Sequence, residues 1–261
     1  MSALLRRIRL VHRRGEVRGA LEDDFHHFRV ALRHAEGKVS AIAGKALRHP
    51  YNLCPGALGQ LRQLIGQPLS GDLTAVAGYS DRLKQCTHLY DLACLAIALA
   101  AEDAGARSYD VRVDDPAGDR PRAAQLRVDG RPALDWRLEG DIILSSGPFN
   151  GVSVRGAFRS YIDGADLPAE TVIAATVLRR GIFISKGRFQ HWGENLDAQR
   201  GGCHTLQPER IDDARLIVDS GRDFSHDPAA LTRDDSDWLA VTADGFARPH
   251  GLAELDDPAR P

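Results

Sequence analysis

The chain has 261 residues, of which 43% are hydrophobic and 27% charged, and its 34 Lys and Arg against 36 Asp and Glu leave a formal charge of −2. That composition excludes collagen, coiled coil and wholesale disorder, and the balanced charge supplies no global field to draw the protein onto nucleic acid or an acidic membrane. One large domain with an appendage is expected, because a single core goes on growing to roughly 250–300 residues.

Arg6, Arg7, Arg9, Arg13, Arg14 and Arg18 crowd the start of the chain, and the apolar pieces between them are too short for the core of a signal peptide. No apolar segment follows the paired Arg13 and Arg14, as an export signal would need. The segment reads as an amphipathic first strand or a loose arm, and the chain as cytoplasmic. In residues 25–48, Phe28, Val30 and Leu32 alternate with Arg29 and Arg33, Glu36-Gly37 supplies a turn, and Val39, Ala41 and Ala43 resume the alternation. A period of two across a glycine turn predicts a hairpin. Pro50 then keeps His49 out of the helical region, Pro55 suits the first position of a helix, and Leu58, Leu61, Leu64 and Ile65 recur at helical spacing up to Gly66.

The apolar run at residues 89–101 is too short for a membrane span and is closed by Glu102 and Asp103. It predicts a buried helix with Thr87 as N-cap and Gly105 as its stop. Short alternating runs at 111–113, 126–128, 134–138 and 142–144, with a type I′ turn at Asp129-Gly130, predict three or four antiparallel strands, and residues 152–158 another. A last helix is expected over 168–180, opening on Pro168 and ending at Gly181, before a strand at Ile182-Phe183-Ile184. The expected fold is therefore α+β: an N-terminal hairpin and two helices packed with a largely antiparallel β-sheet, and one further helix near the C-terminus. Residues 1–205 form a single domain in this reading, and residues 206–261 a partly ordered tail on which Leu216-Ile217-Val218 and Trp238-Leu239-Ala240-Val241 are apolar islands able to dock. No internal repeat at a fixed period is visible.

Cys54, Cys86, Cys94 and Cys203 show no CxxC spacing, so reduced thiols are expected rather than a disulfide framework. Cys54 and Cys86 each sit at the start of an expected helix, where free N–H groups and a partial positive charge favour anions and lower a thiol's pKa. His49, Tyr51, Cys54, Cys86 and His88 are the densest group of reactive side chains. In it His88, ahead of His49, suits general acid/base work, Tyr51 a donor to a developing oxyanion, and Cys86 a nucleophile. Cys54 and Thr87, at the helix starts, would bind substrate. Trp136 and Phe149 would line an apolar pocket, unless they are ordinary core, as Cys94 is expected to be.

His26 and His27 are adjacent in a strand and must point to opposite faces, so one of them can enter a pocket, where Asp23 or Asp24 could orient it. Acidic residues before a strand are more commonly solvated. The Gly201-Gly202-Cys203-His204 loop is placed to cover a site. Cys54, Cys86, His88 and either Cys203 or His204 are zinc-ligand types, but they lack the paired spacing of a structural site, so neither metal nor organic cofactor is expected. No glycine-rich nucleotide motif, GxSxG or HExxH occurs.

His49-Pro50-Tyr51 with Cys54, Leu64-Ile65-Gly66, and above all Cys86-Thr87-His88-Leu89-Tyr90-Asp91-Leu92 resemble the signature of the bacterial domain of unknown function 2889 family. The resemblance extends through residues 151–158 to Leu178-Arg179-Arg180, with Gln85 standing where glycine is expected before the cysteine. It implies that Cys54, Cys86, Thr87 and His88 belong to one shared site or structural kernel, in a protein similar to accessory or enzymatic components of bacterial aromatic and acyl-thioester breakdown. The expected function is a cofactor-independent acid/base enzyme of lyase or hydratase type acting on a small aromatic or acyl molecule. The alternative is a non-catalytic binding or assembly protein in which the cluster staples two helices, with or without zinc. The expected partner is a small-molecule substrate, not nucleic acid or membrane, with self-association left open. A cavity of roughly 300–1,000 Å³ with His88 at its wall would favour the enzyme.

Overall fold

The computed structural model describes residues 2–189 and 200–248. Strands β1 (Ala3–Arg13) and β2 (Glu16–Asp23) form one hairpin, and β3 (His27–Ala35) and β4 (Lys38–Arg48) a second, turned by Glu36 and Gly37 at φ 53° and 71°. Both turn residues take the positive φ that a two-residue primed turn demands. A 3₁₀ helix at Cys54–Leu64 and the short α1 (Leu73–Val76) lead into α2 (Thr87–Glu102). Then follow β5 (Ala106–Asp114), β6 (Arg122–Val128), β7 (Arg131–Glu139), β8 (Ile142–Ile143), α3 (Phe158–Gly164) and α4 (Ala169–Ser185).

The eight strands form a single antiparallel sheet in the order β4-β3-β2-β1-β5-β6-β7-β8. Two four-stranded meanders therefore stand back to back, joined by β1 and β5 with Ile8 opposite Tyr109. Each meander is followed by a long helix: α2 packs on β1 to β3, and α4 on β5 to β7 and β1. The helices share one face and are tied by Arg180, which donates to both Asp91 oxygens at 2.6 and 3.3 Å. The halves are thus topologically equivalent, a duplication the sequence does not display as a repeat.

Alternation decides what faces the helices. Leu4, Ile8 and Leu10 of β1, Val17 and Leu21 of β2, and Phe28, Val30 and Leu32 of β3 all enter the main core. Arg6 and Asp23 share that parity and are buried there as an ion pair. The arginine-rich start is therefore a central strand rather than a loose arm.

On the other face, Trp238 and Leu239 of α5 (Ser236–Leu239) lie on Ala20, Ala31, Ala41 and Ala43, where four small side chains leave a seat for the indole, while Phe224 and Leu231 cover Leu5. Trp238 Nε1 donates to the Gly19 carbonyl at 3.2 Å, and the Arg18 guanidinium lies between Trp238 and Phe246 of the closing β9 (Val241–Thr242) and β10 (Gly245–Phe246) hairpin. Residues 206–248 are thus packed on the sheet. Of the two islands, the one holding Trp238 docks through its side chains, whereas Leu216, Ile217 and Val218 expose theirs and the segment is held by its backbone, Leu216 bridging Tyr51 and the Ile217 N–H donating to the Pro50 carbonyl at 2.7 Å. Residues 249–261 lie outside the described residues.

Several local expectations are corrected. Cys86, not Thr87, holds the N-cap position of α2, with no side-chain capping bond, and Asp103 at φ 50° ends the helix ahead of Gly105. The first helix is 3₁₀ rather than α. Residues 152–158 form turns, with Ser153 bridging Ile142 and Phe158 opening α3. Gly181 lies inside α4, whose residues 182–184 continue as helix. A Cβ at Gly181 would stand 2.5 Å from Val111 Cγ1, so this glycine allows α4 to approach β5 closely and does not stop the helix. Among the described residues no helix is long and apolar enough to cross a membrane.

Candidate functional site

A cavity of 460 Å³ opens where the start of α2 meets the C-terminal half of α4 and the loop at 200–206. The two helix starts converge on it, bringing Tyr51, Cys54, Cys86, Thr87 and His88 to its wall, joined by His26, Arg180, Cys203 and His204. Phe183, Ile184 and Leu206 supply an apolar side. Gln85, where the family pattern suggested glycine, is fully buried and does structural work. Its Nε2 donates to the Gln60 carbonyl at 2.9 Å and Ser80 Oγ at 2.8 Å, and its backbone carbonyl accepts the backbone N–H of His204 at 3.0 Å. The 3₁₀ helix, the start of α2 and the covering loop are thereby held together. The loop is also closed by Gln207, which donates to the carbonyls of Leu83 at 2.6 Å and Cys203 at 3.1 Å.

The two imidazoles are stacked on a buried carboxylate anchor. His88 stacks on His26 with ring centroids 3.7 Å apart, and His26 Nδ1 lies 2.9 Å from Asp23 Oδ1. Asp23 Oδ1 also accepts the N–H groups of Phe25 and His26, both at 2.9 Å, and its second oxygen pairs with Arg6. Burial opposes ionisation of Asp23, yet His26 and Arg6 outweigh it and hold the carboxyl well below the usual range. Asp23 is therefore a carboxylate, which fixes His26 with its proton on Nδ1 and Nε2 as an acceptor. Burial lowers the pKa of His26, and burial with His26 and Arg6 pushes that of His88 well below its ordinary value, so both rings are neutral at pH 7. His88 Nδ1 stands 3.4 Å from Thr87 Oγ1, while its Nε2 is shielded from solvent and has no hydrogen-bond partner.

The thiols behave differently from the sequence expectation. Burial raises the pKa of Cys54 and Cys203 and pushes Cys86 up to about 12, with the neighbouring Cys54 thiol adding to the shift. A helix start contributes on the order of 0.3–1 kcal/mol to an anion, too little against removal from water. All four cysteines are free thiols. Thr205 Oγ1 donates to Cys54 Sγ at 3.6 Å. Burial, with Cys203 and Cys54 nearby, pushes the Tyr51 phenol up to about 12, so it too is neutral. Arg180 and Arg200 bring positive charge to this wall, Arg180 being fixed by its pair with Asp91.

Other expected site residues lie elsewhere. His49 is outside the cavity, its Nδ1 2.9 Å from the Tyr51 carbonyl, because Pro50 turns the chain between them. Trp136, Phe149 and Phe158 pack together in the core of the second half, with centroids 5.1 to 6.2 Å apart, Phe149 stacked on Phe158 and Trp136 inclined to both, and Trp136 and Phe149 do not reach the cavity. Asp23 and Asp24 are buried rather than solvated. His27 points to the opposite face, as alternation required, where its Nε2 meets Asp235 at 2.9 Å.

Among the described residues, Glu22, His27 and Asp235 are the set of three potential metal ligands converging within 4.8 Å; the cavity's thiols and imidazoles do not gather that closely. That trio is already engaged with cations, Arg29 donating to Asp235 at 2.6 Å and Arg48 to Glu22 at 3.2 Å. It fastens the C-terminal segment to the sheet.

Sequence reasoning did not single out Arg6 or Arg180. For Arg6 the signal was its place in the period-two run between Leu4 and Ile8; Arg180 stood only within the Leu178-Arg179-Arg180 part of the resemblance, and its role depends on where α4 crosses α2.

Residues 10–101 match the family described as Protein of unknown function (DUF2889), and no curated protein matches the chain. The match covers His26, Tyr51, Cys54, Cys86 and His88, whereas Arg180 and Cys203 lie beyond it.

Proposed function

We propose that the cavity is the active site of a lyase- or hydratase-type enzyme that acts by acid/base chemistry, without an organic cofactor, on a small aromatic or acyl molecule in bacterial cytoplasmic catabolism. The observation that carries this reading is a 460 Å³ cavity with the stacked pair of His88 and Asp23-anchored His26 at its wall, His88 Nε2 having no hydrogen-bond partner. That volume lies in the range of small-molecule sites, and a purely structural kernel would be expected to leave no such space beside the imidazoles.

A resting neutral His88 takes up a proton first and returns it later. Its conjugate acid would be supported by the Asp23 carboxylate through His26. Tyr51, as a neutral phenol, donates a hydrogen bond, and with the N–H groups opening α2 and the Arg180 charge it would stabilise an oxyanion developing on the substrate. Phe183, Ile184 and Leu206 suit an aryl or acyl body. Because the thiols are un-ionised, Cys86 is assigned to packing at the helix start and not to nucleophilic attack.

The test is a panel of small arenecarboxylates, hydroxyacyl and enoyl thioesters, followed by mass spectrometry for gain or loss of water. Turnover of a panel member, reduced at least about 100-fold in His88→Ala and His26→Asn, is expected. Undiminished turnover in His88→Ala would refute His88 as the acid/base group, and saturable binding without turnover would instead support the non-catalytic binding protein.

A further inference from the structure

A second cavity lies beyond the Asp91–Arg180 pair, between α1, α2, α3 and α4, and encloses about 60 Å³. Its lining is unusual in charge: Arg6, Arg82, Arg159, Arg179 and Arg180 face one carboxylate, Asp91. Three of these arginines are matched, Arg6 by Asp23, Arg180 by Asp91 and Arg159 by Asp163 at 2.8 Å. Asp91 is fully engaged by the bidentate Arg180 contact. Among the described residues, Arg82 and Arg179 have no carboxylate within 4.0 Å, so two positive charges at this cavity are uncompensated.

Arg179 is also held in place. Its Nε donates to the Val154 carbonyl at 2.6 Å, and its guanidinium lies over Phe158 and Phe183 with 5.1 and 4.7 Å to the ring centroids. That geometry commits one of five N–H donors and leaves the planar fork oriented for a further acceptor. Burial, and then the charges of Arg180 and Arg82, lower its pKa to about 10, as expected of a cation surrounded by cations. Among the described residues only Asp91, already paired with Arg180, offsets this crowding, and a bound anion would relieve it further.

We propose that this cavity binds a phosphate dianion, either free or as the phosphoryl group of a small ligand, with Arg82 and Arg179 as its principal partners. Two unmatched guanidinium groups balance the charge of a dianion, and Arg is the side chain whose fork fits tetrahedral oxyanions. The volume agrees: at about 10–15 Å³ for each water-sized atom, 60 Å³ accommodates four to six, and phosphate has five heavy atoms. The site is distinct from the thiol-lined cavity but shares Arg180 with it, so a ligand here would sit one side chain away from the proposed active site.

The experiment is calorimetric titration of the full chain at pH 7.5 and constant ionic strength with inorganic phosphate, phenyl phosphate and acetate. Saturable 1:1 binding of phosphate or phenyl phosphate is expected. Tighter binding of the ester would identify a phosphoryl group on an organic ligand, and tighter binding of phosphate the free ion. Arg179→Gln should abolish binding and Arg82→Gln weaken it about tenfold or more, as loss of a charged hydrogen bond does. Arg82 is exposed and has no ion-pair partner, so its substitution leaves the fold intact and decides the matter even if Arg179→Gln fails to fold. Absence of saturable heat with either phosphate compound, acetate binding as tightly as phosphate, or unchanged affinity in Arg82→Gln would overturn the assignment.

Discussion

Asp23→Asn is the most informative single change, because it removes one charge and almost nothing else. The Asn Oδ1 can still accept the N–H groups of Phe25 and His26, which lie 2.9 Å from the carboxylate oxygen it replaces. What is lost is the counter-charge of Arg6, which is 1% exposed and has its strongest partner in Asp23. Removing one member of a buried ion pair costs about 3–5 kcal/mol, a large share of the about 5–15 kcal/mol that stabilises a domain. Urea unfolding should therefore show a lower midpoint with an unchanged slope. Asp23 is ionised more readily in the folded than in the unfolded chain, so its contribution is fully present above about pH 4, the ordinary carboxylate value, and is lost as pH falls below that through the folded value. The gap between wild type and variant should be level at neutral pH and narrow below about pH 4. The double variant Arg6→Met/Asp23→Asn should recover most of the loss, since no unpaired charge then remains and the Asn oxygen still accepts the Phe25 and His26 N–H groups. A loss below about 1 kcal/mol in Asp23→Asn at pH 7 would refute the buried pair as the anchor of His26.

In Gly181→Ala, overpacking against Val111 of about 1–3 kcal/mol should exceed the helix-propensity gain of about 1 kcal/mol, so thermal unfolding moves down, and a companion Val111→Ala should relieve it. A raised midpoint would contradict the close helix–sheet approach. With its pKa near 12, Cys86 at pH 8 should be thiolate to about one part in 10⁴, against roughly a quarter for an ordinary thiol, so iodoacetamide should label it about 10³-fold more slowly in native than in unfolded protein. Peptide mapping that finds Cys86 promptly alkylated in the native state would restore it as a nucleophile. Trp238→Ala empties the seat on Ala20, Ala31, Ala41 and Ala43, with an expected loss of about 3–5 kcal/mol and faster proteolytic cleavage within residues 206–248. Unaltered cleavage would mean that the C-terminal segment is held without the indole.

What was legible beforehand was what neighbours in the chain decide. Alternation in residues 25–48 and the Glu36-Gly37 turn yield the β3–β4 hairpin, and parity alone separates His26 from His27. Proline and helix-start signals brought Cys54 and Cys86 to one place. The failures share a cause, which is that the deciding partner is distant in sequence. Arginine at position 6 reads as a surface residue until Asp23 is seen one strand away. Glycine serves both as a helix stop and as a point of close approach, and only Val111 reveals which use Gly181 has. A helix start suggests an acidic thiol, whereas burial, a property of the whole fold, raises the pKa of Cys86. The seat for Trp238 is assembled from three strands and is present in none of them alone.

The duplicated topology supplies an internal comparison that bears on whether the Cys/His cluster is structural. Because the halves are related about the β1–β5 pair, the end of the helix pair where α2 begins has a counterpart where α4 begins. The counterpart exists: a 260 Å³ cavity bounded by Glu102 at the end of α2 and by Glu170, Thr171 and Ile173 at the start of α4, with Arg107 and Tyr109 beneath. It is lined by ordinary side chains, without a thiol or an imidazole, and α4 starts from Pro168 with no side-chain cap. The same sheet, the same kind of helix start and a comparable opening are therefore built without cysteine or histidine. If packing alone demanded such residues at a helix start in this architecture, both ends would need them. This fold therefore does not require them at a helix start, and their concentration at one end, on an anchored pair of histidines beside Arg180, favours the proposed reading of a site over that of a scaffold.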